Sequence, residues 1–565
     1  MSTANTENSA RQADTPLSEL SYPRLSARTL RFTLGAPRNF TLSPDGLRVA
    51  FLRAPAGTHR GTQLWTYDVE TGVERLVADP GALLSTGEEE LSPQERARRE
   101  RLREGAGGIV GYATDQDVQV ATFALSSRAW FADLLGGDVR ELPVRTPVLD
   151  PRPSPDGRHV AYASAGALRV VSVETGEDRA LAEPDGDHPE NTVWGLAEFI
   201  AAEEMNRARG FWWAPDGTGL LVERYDETPV HVWHIADPAR PDARPQEVRY
   251  PAAGTPNAEV SLWHLGLDGT RREIVWDHDR FPYLASVTWG GRGAPLLYVL
   301  TRDQRTARVL SVSVADGTTS VVDEATDPAW INIVGGVPTW LPDGRLVTVV
   351  DLGAPSETVK LAYDGKPVTP DGLQIAAVLD VGDDGVLVSC TSEPTEQHLA
   401  LVGLDGTVTR LTGEPGMHQG RRAGGTTLIA SQSLDHDGVR VRLLREGEDV
   451  GAIASRQQPP PFAPAVELVS LGSRELRTAV LFPRDHERGS RRLPLLLDPY
   501  GGPHALRVRS ARASFLASQW LADQGFCVVV ADGRGTPHRG RSWERAILDD
   551  FVSTLDDQVE VVSEM

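Results

Sequence analysis

Short apolar runs separated by polar turns dominate the chain between about residues 30 and 451. Ser43-Pro44-Asp45-Gly46 precedes the apolar run Arg48–Leu52, and Ser154-Pro155-Asp156-Gly157 precedes His159–Ala163 in the same way. Proline presets φ at the first turn position and glycine accepts positive φ, so each tetrapeptide predicts a tight reversal between two strands. Imperfect repeats of four short strands, at roughly 40 to 50 residues per unit, predict a β-propeller, here of seven or eight blades.

Two segments interrupt the strand pattern and predict inserted helices at about 92–104 and 194–206. The first has a capping box from Ser92 to Glu95, a proline at the first helical position and Gly105 where the helix would end. Charged residues occupy nearly every face of this helix, so we expect it to project as an arm and not to belong to the core. The arm could be a solvated insertion or a cover for a substrate site, and both alternatives remain open. The second ends in Glu203 and Glu204, and from residue types alone such a pair is typical of solvated surface.

The proline-rich stretch 456–464 predicts a linker, because proline is too stiff and too poor in donors for a strand interior. We therefore divide the chain into a polar segment 1–29, a propeller 30–455, the linker, and a part 465–565 in which strands and helices alternate. That alternation predicts a mainly parallel sheet with helices on its faces. Its expected elements are strands Val466–Leu471, Leu476–Phe482, Leu493–Leu497 and Phe526–Val530, a helix Ala511–Gln524, and helical stretches from Arg541 onward.

Composition narrows the possible functions. The net charge of -22 argues against a nucleic-acid partner, which requires a concentrated basic surface. The start of the chain lacks the apolar segment of a signal peptide, and no run of about 18 apolar residues could span a bilayer. Cys390 and Cys527, the only cysteines, lie in apolar runs and should be buried. A large secreted protein would more often carry several disulfides, so this cysteine usage favours a reducing compartment. We expect a cytoplasmic protein without a membrane partner, and without a metal or cofactor, since His278 has no second ligand at a useful spacing.

Two motifs near the C-terminus carry candidate chemistry, namely Asp498-Pro499-Tyr500-Gly501-Gly502-Pro503-His504 and Ala531-Asp532-Gly533-Arg534-Gly535-Thr536. A glycine loop after an early strand lets the backbone approach a reacting carbonyl, and a tyrosine hydroxyl can donate to the developing oxyanion. A simple turn is the alternative from these residues alone. Together with the propeller and the proline-rich joint, the motifs resemble the prolyl oligopeptidase family of serine peptidases. The segments 197–205 and Trp212–Gly217 are similar to its dipeptidyl peptidase IV branch, as is the arm Glu95–Gly108.

The resemblance implies both a fold and an activity. The fold is a propeller followed by an incomplete α/β-hydrolase domain. The activity is that of a serine exopeptidase, which releases dipeptides from peptides with a free N-terminus and with proline or alanine in second position. By the same resemblance Glu203 and Glu204 would bind the substrate's α-ammonium group, and Tyr500 would be the oxyanion donor. Arg534 would stabilise the loop beneath the site, and His538, like His504, would not be the catalytic base because the family's histidine follows its serine.

The nucleophile elbow of such enzymes is a Gly-x-Ser-x-Gly pentapeptide, and these 565 residues contain none. The catalytic serine, aspartate and histidine are therefore expected beyond Met565. We expect the chain as given to be inactive, with a poorly packed C-terminal part, and to be a fragment rather than a natural pseudoenzyme. Two alternatives stay open: another branch of the family, either an oligopeptidase or an acylaminoacyl peptidase, and a non-catalytic propeller that binds peptides. The sequence leaves a homodimer possible.

Overall fold

Eight sheets with a path of four antiparallel strands follow one another along the described chain. The structure is a computed structural model that describes residues 16–84, 89–503 and 505–565, so His504 and most of the N-terminal segment lie outside the described residues. The β-propeller predicted from the repeated turns is confirmed, with eight blades among the described residues. In the first blade the predicted turn Ser43–Gly46 joins the strands Arg38–Leu42 and Arg48–Arg53, and Ser43 Oγ accepts a hydrogen bond from Arg48 N at 2.9 Å.

The first four blades contain the strands up to β20. Blade 1 has β1 (Arg38–Leu42), β2 (Arg48–Arg53), β3 (Gly61–Asp68) and β4 (Glu74–Ala78), and β5 (Gly107–Gly108) pairs with β3; blade 2 has β6 (Ala113–Thr114), β7 (Val120–Leu125), β8 (Arg128–Asp133) and β9 (Val139–Glu141); blade 3 has β10 (Leu149–Pro153), β11 (His159–Ser164), β12 (Ala167–Ser172) and β13 (Asp178–Ala182); blade 4 has β14 (Thr192–Trp194), β15 (Phe211–Trp213), β16 (Gly219–Asp226), the inserted ribbon β17 (Val232–Ile235) and β18 (Gln246–Arg249), then β19 (Glu259–Gly266) and β20 (Arg271–Ile274).

The remaining blades repeat the arrangement without insertions of this size. Blade 5 has β21 (Tyr283–Thr288), β22 (Leu296–Leu300), β23 (Thr306–Val312) and β24 (Thr319–Thr326); blade 6 has β25 (Thr339–Trp340), β26 (Leu346–Leu352), β27 (Thr358–Tyr363) and β28 (Lys366–Pro367); blade 7 has β29 (Gln374–Gly382), β30 (Gly385–Thr391), β31 (His398–Gly403) and β32 (Val408–Arg410); blade 8 has β33 (Met417–Ala423), β34 (Thr426–Gln432), β35 (Arg440–Arg445) and β36 (Glu448–Ile453).

Apolar side chains between neighbouring blades hold the ring together. Blade 8 packs on blade 1, where Phe51 and Trp65 share a buried cluster with Leu428 and Leu443. Comparable clusters join the other pairs of neighbouring blades. No strand is exchanged between the first and last described blades. The ring is therefore closed by these apolar clusters, in which each square ångström of apolar surface removed from water contributes about 25 cal/mol.

Seven α-helices are described. They are α1 (Tyr22–Arg28), α2 (Pro80–Leu83), α3 (Pro93–Arg101), α4 (Phe199–Glu204), α5 (Leu516–Ala522), α6 (Arg541–Glu544) and α7 (Val552–Glu564), with short 3-10 turns at Leu17–Glu19, Pro189–Asn191, Arg512–Phe515 and Arg545–Ile547. The second inserted helix is shorter than the expected 194–206, because Thr192–Trp194 pairs with β16 as a strand. The longest helix described has 13 residues, and none in the described ranges is long and apolar enough to cross a membrane.

The C-terminal part forms a four-stranded sheet in the order β37 (Val466–Leu471), β38 (Leu476–Leu481), β40 (Cys527–Asp532) and β39 (Leu495–Tyr500). Among these four strands the only parallel pair is β39 with β40. The expectation of a mainly parallel sheet therefore does not hold for this part, because a tight hairpin joins β37 to β38 and β38 runs antiparallel to β40.

Helices cover both faces of this sheet. Phe515 and Ala522 pack on one face and Val561 on the other, so both faces carry a buried apolar cluster. The outer side of α7 is different, since Leu555 and Val559 remain 61% and 56% exposed. The expected poor packing is thus confined to the outer surface of this part. Cys390 and Cys527 are buried and unpaired, as predicted.

Candidate functional site

Helix α4 places Glu203 and Glu204 together at its C-terminal end. Glu198 caps the other end, where its carboxylate accepts hydrogen bonds from Ile200 N and Ala201 N at 2.6 Å each. The backbone dipole makes the C-terminal end of a helix electrically negative, so two carboxylates there favour a nearby cation. The local sequence thus builds a short helix whose last turn attracts positive charge.

A buried ion pair anchors α4 from below. Glu223 of β16 is fully buried, pairs with Arg207 and accepts a hydrogen bond from Glu198 N at 3.0 Å. Arg207 also donates to the carbonyls of Leu284 at 3.0 Å and Arg209 at 2.8 Å. Burial raises the pKa of Glu223 to about 7, although Arg207 opposes that shift. Because the start of α4 is bonded to this pair, the network fixes how the helix presents its acidic end.

The arm helix α3 is held by its own charges. Ser92 caps it by accepting from Glu95 N at 3.2 Å, as the capping box predicts. Glu95 pairs with Arg98 at 2.7 Å and with Arg99 at 2.8 Å, and Arg99 also reaches Glu89 at 2.6 Å. Glu95 and Arg99 are buried, contrary to the expectation of a helix without core positions. Burial is tolerated because each charge has a partner.

The arm contacts the acidic helix. Arg101 Nε lies 3.6 Å from Glu203 Oε1, and its guanidinium lies over the ring of Phe199, 5.2 Å from the centroid. The side chain of Glu203 is 32% exposed, and Glu204 is exposed. Arg101 therefore pairs with Glu203, and within the described ranges Glu204 forms no ion pair. The arm is therefore in contact with α4, and its role as a cover for a substrate site stays a prediction.

Tyr500 lies at the end of β39, opposite Asp532 of β40. Its carbonyl accepts a hydrogen bond from Gly533 N at 3.2 Å. A Cβ added at Gly501 would lie 2.8 Å from the side chain of Thr554, and one at Gly502 would lie 3.4 Å from the Tyr500 hydroxyl. A side chain at Gly501 would therefore collide with Thr554, whereas Gly502 has ordinary packing distance to the tyrosine ring.

The second motif supports this loop from beneath. Arg534 pairs with the fully buried Asp557 of α7 at 3.0 Å, and Arg534 N donates to the same carboxylate at 2.7 Å. Asp532 accepts hydrogen bonds from Arg507 N and Val508 N at 3.0 and 2.9 Å, and burial raises its pKa. Arg534 thus bonds to helix α7, which fits the expected stabilising role.

The structure does not bring every predicted site residue together. No hydrogen bond or ion pair joins α4 to the Tyr500 loop among the residues described. The His278 ring packs on Trp276 and bonds to the Val260 carbonyl at 3.1 Å, which is a structural role. In the described part of the chain, no group of three histidine, cysteine, aspartate or glutamate side chains is arranged to hold a metal ion.

The supporting residues Glu198, Arg207 and Glu223 were missed by the sequence interpretation. Glu223 could have been recognised from the sequence, because it directly follows the apolar run Gly219–Val222 and is followed two positions later by Tyr225. A charged residue in such a run is buried only with a partner, which predicts a buried pair.

Comparisons with known proteins identify the family and the fold. Residues 116–438 match the family model of the dipeptidyl peptidase IV (DPP IV) N-terminal region, and residues 512–565 match the prolyl oligopeptidase family. A probable dipeptidyl-aminopeptidase B of Trichophyton verrucosum is 22% identical over 69% of this chain and 49% of its own length. Human dipeptidyl peptidase 8 is 23% identical over 93% of this chain and 72% of its own length. The chain therefore spans about half the length of its fungal relatives.

A solved structure shares the fold. The crystal structure of Porphyromonas gingivalis dipeptidyl peptidase 4 superposes with a TM-score of 0.77 at 18% sequence identity. The match covers 98% of this chain and 79% of that one. At this identity the likeness concerns the fold, a propeller followed by a hydrolase portion.

Proposed function

Because this chain belongs to the dipeptidyl peptidase IV branch of the prolyl oligopeptidase family, we propose that it provides the substrate-binding part of a serine dipeptidyl peptidase. The substrate is a peptide with a free N-terminus, cleaved after a proline or alanine in second position. Glu203 and Glu204 bind the α-ammonium group, and Tyr500 donates a hydrogen bond to the oxyanion.

The charge balance at the end of α4 carries this proposal. Arg101 lies 3.6 Å from Glu203, whereas Glu204 forms no ion pair within the described ranges, so the Glu204 carboxylate is left for a cation from outside. An α-ammonium group supplies a positive charge together with three donors. The buried pair of Arg207 and Glu223 keeps α4 in place, so the position of the bound amine is set by the fold.

A fixed position for the substrate's amine explains how the enzyme would select the peptide bond after the second residue. When the first residue of a peptide is held by its ammonium group, the distance from that group to the reacting carbonyl determines which peptide bond is attacked. Tyr500 contributes at that carbonyl, and loss of one oxyanion donor typically costs about 100-fold to 1000-fold in turnover. A serine nucleophile would attack the carbonyl carbon and the resulting acyl-enzyme would be hydrolysed.

Location and assembly form part of the same proposal. Two buried, unpaired cysteines support a reducing compartment, and we place the protein in the cytoplasm. We also propose a homodimer. The ribbon of β17 and β18 supports it, because Trp233 and Ile235 are 51% and 57% exposed there, and solution mass measurement tests it against the 61.2 kDa of one chain.

Binding to the 565-residue chain tests the proposed recognition of the amine without requiring catalysis. We expect Gly-Pro-Ala-amide to bind at least about tenfold more tightly than its N-acetylated form in isothermal titration calorimetry, because acetylation removes the charge that the carboxylates attract. A Glu174→Gln variant, changed at an exposed turn of blade 3, should keep this ratio. Equal affinity for the two peptides would contradict the proposal.

A further inference from the structure

A cavity of about 830 Å³ lies between blades 1, 7 and 8 and the C-terminal part. Its walls include the first strands of those blades, β1, β29 and β33, together with β34, the segment before β1, the linker around residues 455–460, and residues 509–516. This volume falls within the range that ligand-binding sites usually occupy. The cavity is thus large enough to hold a ligand and is formed by both parts of the protein.

The charge of this cavity is opposite to that of the whole protein. Its described charged lining residues are five arginines and one aspartate: Arg31, Arg38, Arg421, Arg509, Arg512 and Asp437. The chain as a whole carries a net charge of -22. A local excess of guanidinium groups on so acidic a protein creates a positive potential that an anion entering the cavity would experience.

Two of the five arginines already have carboxylate partners. Arg38 pairs with Glu104 at 2.5 Å, and Arg512 pairs with Asp437 at 3.1 Å. The other three, Arg31, Arg421 and Arg509, form no ion pair with a carboxylate of the described chain. Three guanidinium groups that line the cavity are therefore without a carboxylate ion-pair partner in the described chain.

Arg421 and Arg509 are contributed to the cavity by different parts of the protein, blade 8 and the C-terminal part. Arg421 lies on β33 of blade 8, where it attracts the nearby Asp380 carboxylate without forming an ion pair with it, and Asp380 accepts a hydrogen bond from Arg422 N at 2.8 Å. Arg509 is partly buried, its guanidinium donates to no described acceptor, and the loss of hydration lowers its pKa. A charged group kept partly dehydrated without a partner is costly unless a ligand supplies the opposite charge.

The cavity also lies close to the proposed site of chemistry. Asp532 is opposite Tyr500 in the sheet and accepts hydrogen bonds from Arg507 N and Val508 N, so the segment that leads to Arg509 starts beside the tyrosine. A peptide that reached both Tyr500 and the cavity would pass along the segment from Arg507 to Arg509.

We propose that Arg421 and Arg509, with Arg31, bind carboxylate side chains of a peptide downstream of its first two residues. A guanidinium group binds a carboxylate through two parallel hydrogen bonds, which suits glutamate and aspartate side chains. The position of the peptide rests on the proposed function above, whereas the preference for acidic residues rests on the cavity alone. This preference defines a substrate class, namely peptides that are acidic beyond the second residue.

Four peptides test the inference on the 565-residue chain. Gly-Pro-Glu-Glu-Glu-Glu-amide and Gly-Pro-Gln-Gln-Gln-Gln-amide are compared, each with a free and with an acetylated N-terminus, by titration calorimetry at low salt. The acidic peptide should bind about tenfold more tightly than the glutamine peptide in both forms, because hydrogen bonds to charged groups are the stronger ones. The preference should weaken as salt is added.

Variants then assign the preference to the cavity. Arg421→Gln with Arg509→Gln should bring the two peptides to similar affinity, whereas Arg158→Gln, changed at a residue whose side chain is 82% exposed on blade 3, should keep the tenfold ratio. Circular dichroism melting of each variant shows that it is folded. Equal binding of acidic and glutamine peptides by the unmodified chain, or a preference that survives in the double variant, would overturn the inference. If acetylation has no effect while the acidic preference holds, the proposed amine site fails and this inference stands.

Discussion

Arg101 of the arm helix lies 3.6 Å from Glu203 of α4, measured from Nε to Oε1. The arm enters between blades 1 and 2, whereas α4 belongs to blade 4. Two insertions that are distant in the sequence therefore build one wall of the candidate site. The ring of Phe199 beneath the guanidinium adds a cation–π contact at 5.2 Å.

Removal of this contact should loosen the arm without unfolding the protein. We expect Arg101→Met to change the free energy of unfolding by less than about 1 kcal/mol, because the pair is partly exposed. Hydrogen exchange of the backbone in Pro93–Arg101 should nevertheless become faster. Arg96→Met, at an exposed position of the same helix, is the control. Unchanged exchange in the Arg101 variant would show that the contact does not hold the arm.

Substitution in the buried ion pair of Arg207 and Glu223 should change the free energy of unfolding more than substitution of Arg101. Arg207→Met removes the partner of the Glu223 carboxylate and should raise its pKa further, so we expect a loss of stability that grows as the pH rises from 5 to 8, by at most about 1.4 kcal/mol per pH unit. The loss should be smaller at pH 5, because a protonated Glu223 needs no counter-charge. Chemical denaturation at several pH values measures both effects.

A second substitution tests whether ionisation of Glu223 causes the pH dependence of the Arg207→Met variant. In the double variant Arg207→Met with Glu223→Gln, the additional pH dependence of the single variant should disappear, since the ionisable group is gone. A single variant with equal losses at pH 5 and pH 8 would contradict the assigned role of Glu223.

Asp557 should hold the Asp532-Gly533-Arg534 loop on helix α7. Its carboxylate is fully buried and bonds to Arg534 through both the backbone and the side chain. We expect Asp557→Asn to lower the free energy of unfolding by about 3 kcal/mol, whereas Asp556→Asn, one position away and exposed, should change it by less than about 0.5 kcal/mol. Similar values for the two variants in urea denaturation would rule out this support.

Asp380 should make stability depend on pH. Burial raises the pKa of its carboxyl to about 6, with Arg421 opposing the shift. A group whose folded-state pKa is raised stabilises the fold fully below its unfolded pKa of about 4, and this contribution is lost as the pH rises toward 6. The total change is at most about 3 kcal/mol.

The test compares the chain with Asp380→Asn between pH 4 and pH 7. Relative to the variant, the unmodified chain should lose stability as the pH rises through this window. A constant difference across the window would show that Asp380 titrates normally.

Local sequence predicted much of the fold and less of the site. The turns at Ser43–Gly46 and Ser154–Gly157 predicted their hairpins, because proline and glycine fix the backbone without help from distant residues. The capping box at Ser92 predicted the start of α3 for the same reason. The contact of Arg101 with Glu203 could not be predicted, since it depends on the angle at which the arm leaves the ring.

The burial of charged residues was also difficult to predict from the sequence. Glu95 and Arg99 suggested a solvated helix because their types are usually exposed, yet their mutual ion pair allows both to be buried. The arginines of the cavity come from segments around residues 31, 421 and 509, and no local pattern relates these segments. Only closure of the ring by blade 8 on blade 1, and the loop after Tyr500, bring them together.

The central claim is that Glu203 and Glu204 bind a peptide's α-ammonium group, and a double-mutant cycle tests it most directly. The affinities of Gly-Pro-Ala-amide and its acetylated form are measured on the unmodified chain and on Glu203→Gln with Glu204→Gln. The account predicts that acetylation weakens binding at least about tenfold in the unmodified chain and by less than about twofold in the double variant, a coupling of roughly 1 kcal/mol or more. If acetylation costs the same affinity with and without the two carboxylates, these residues do not bind the amine.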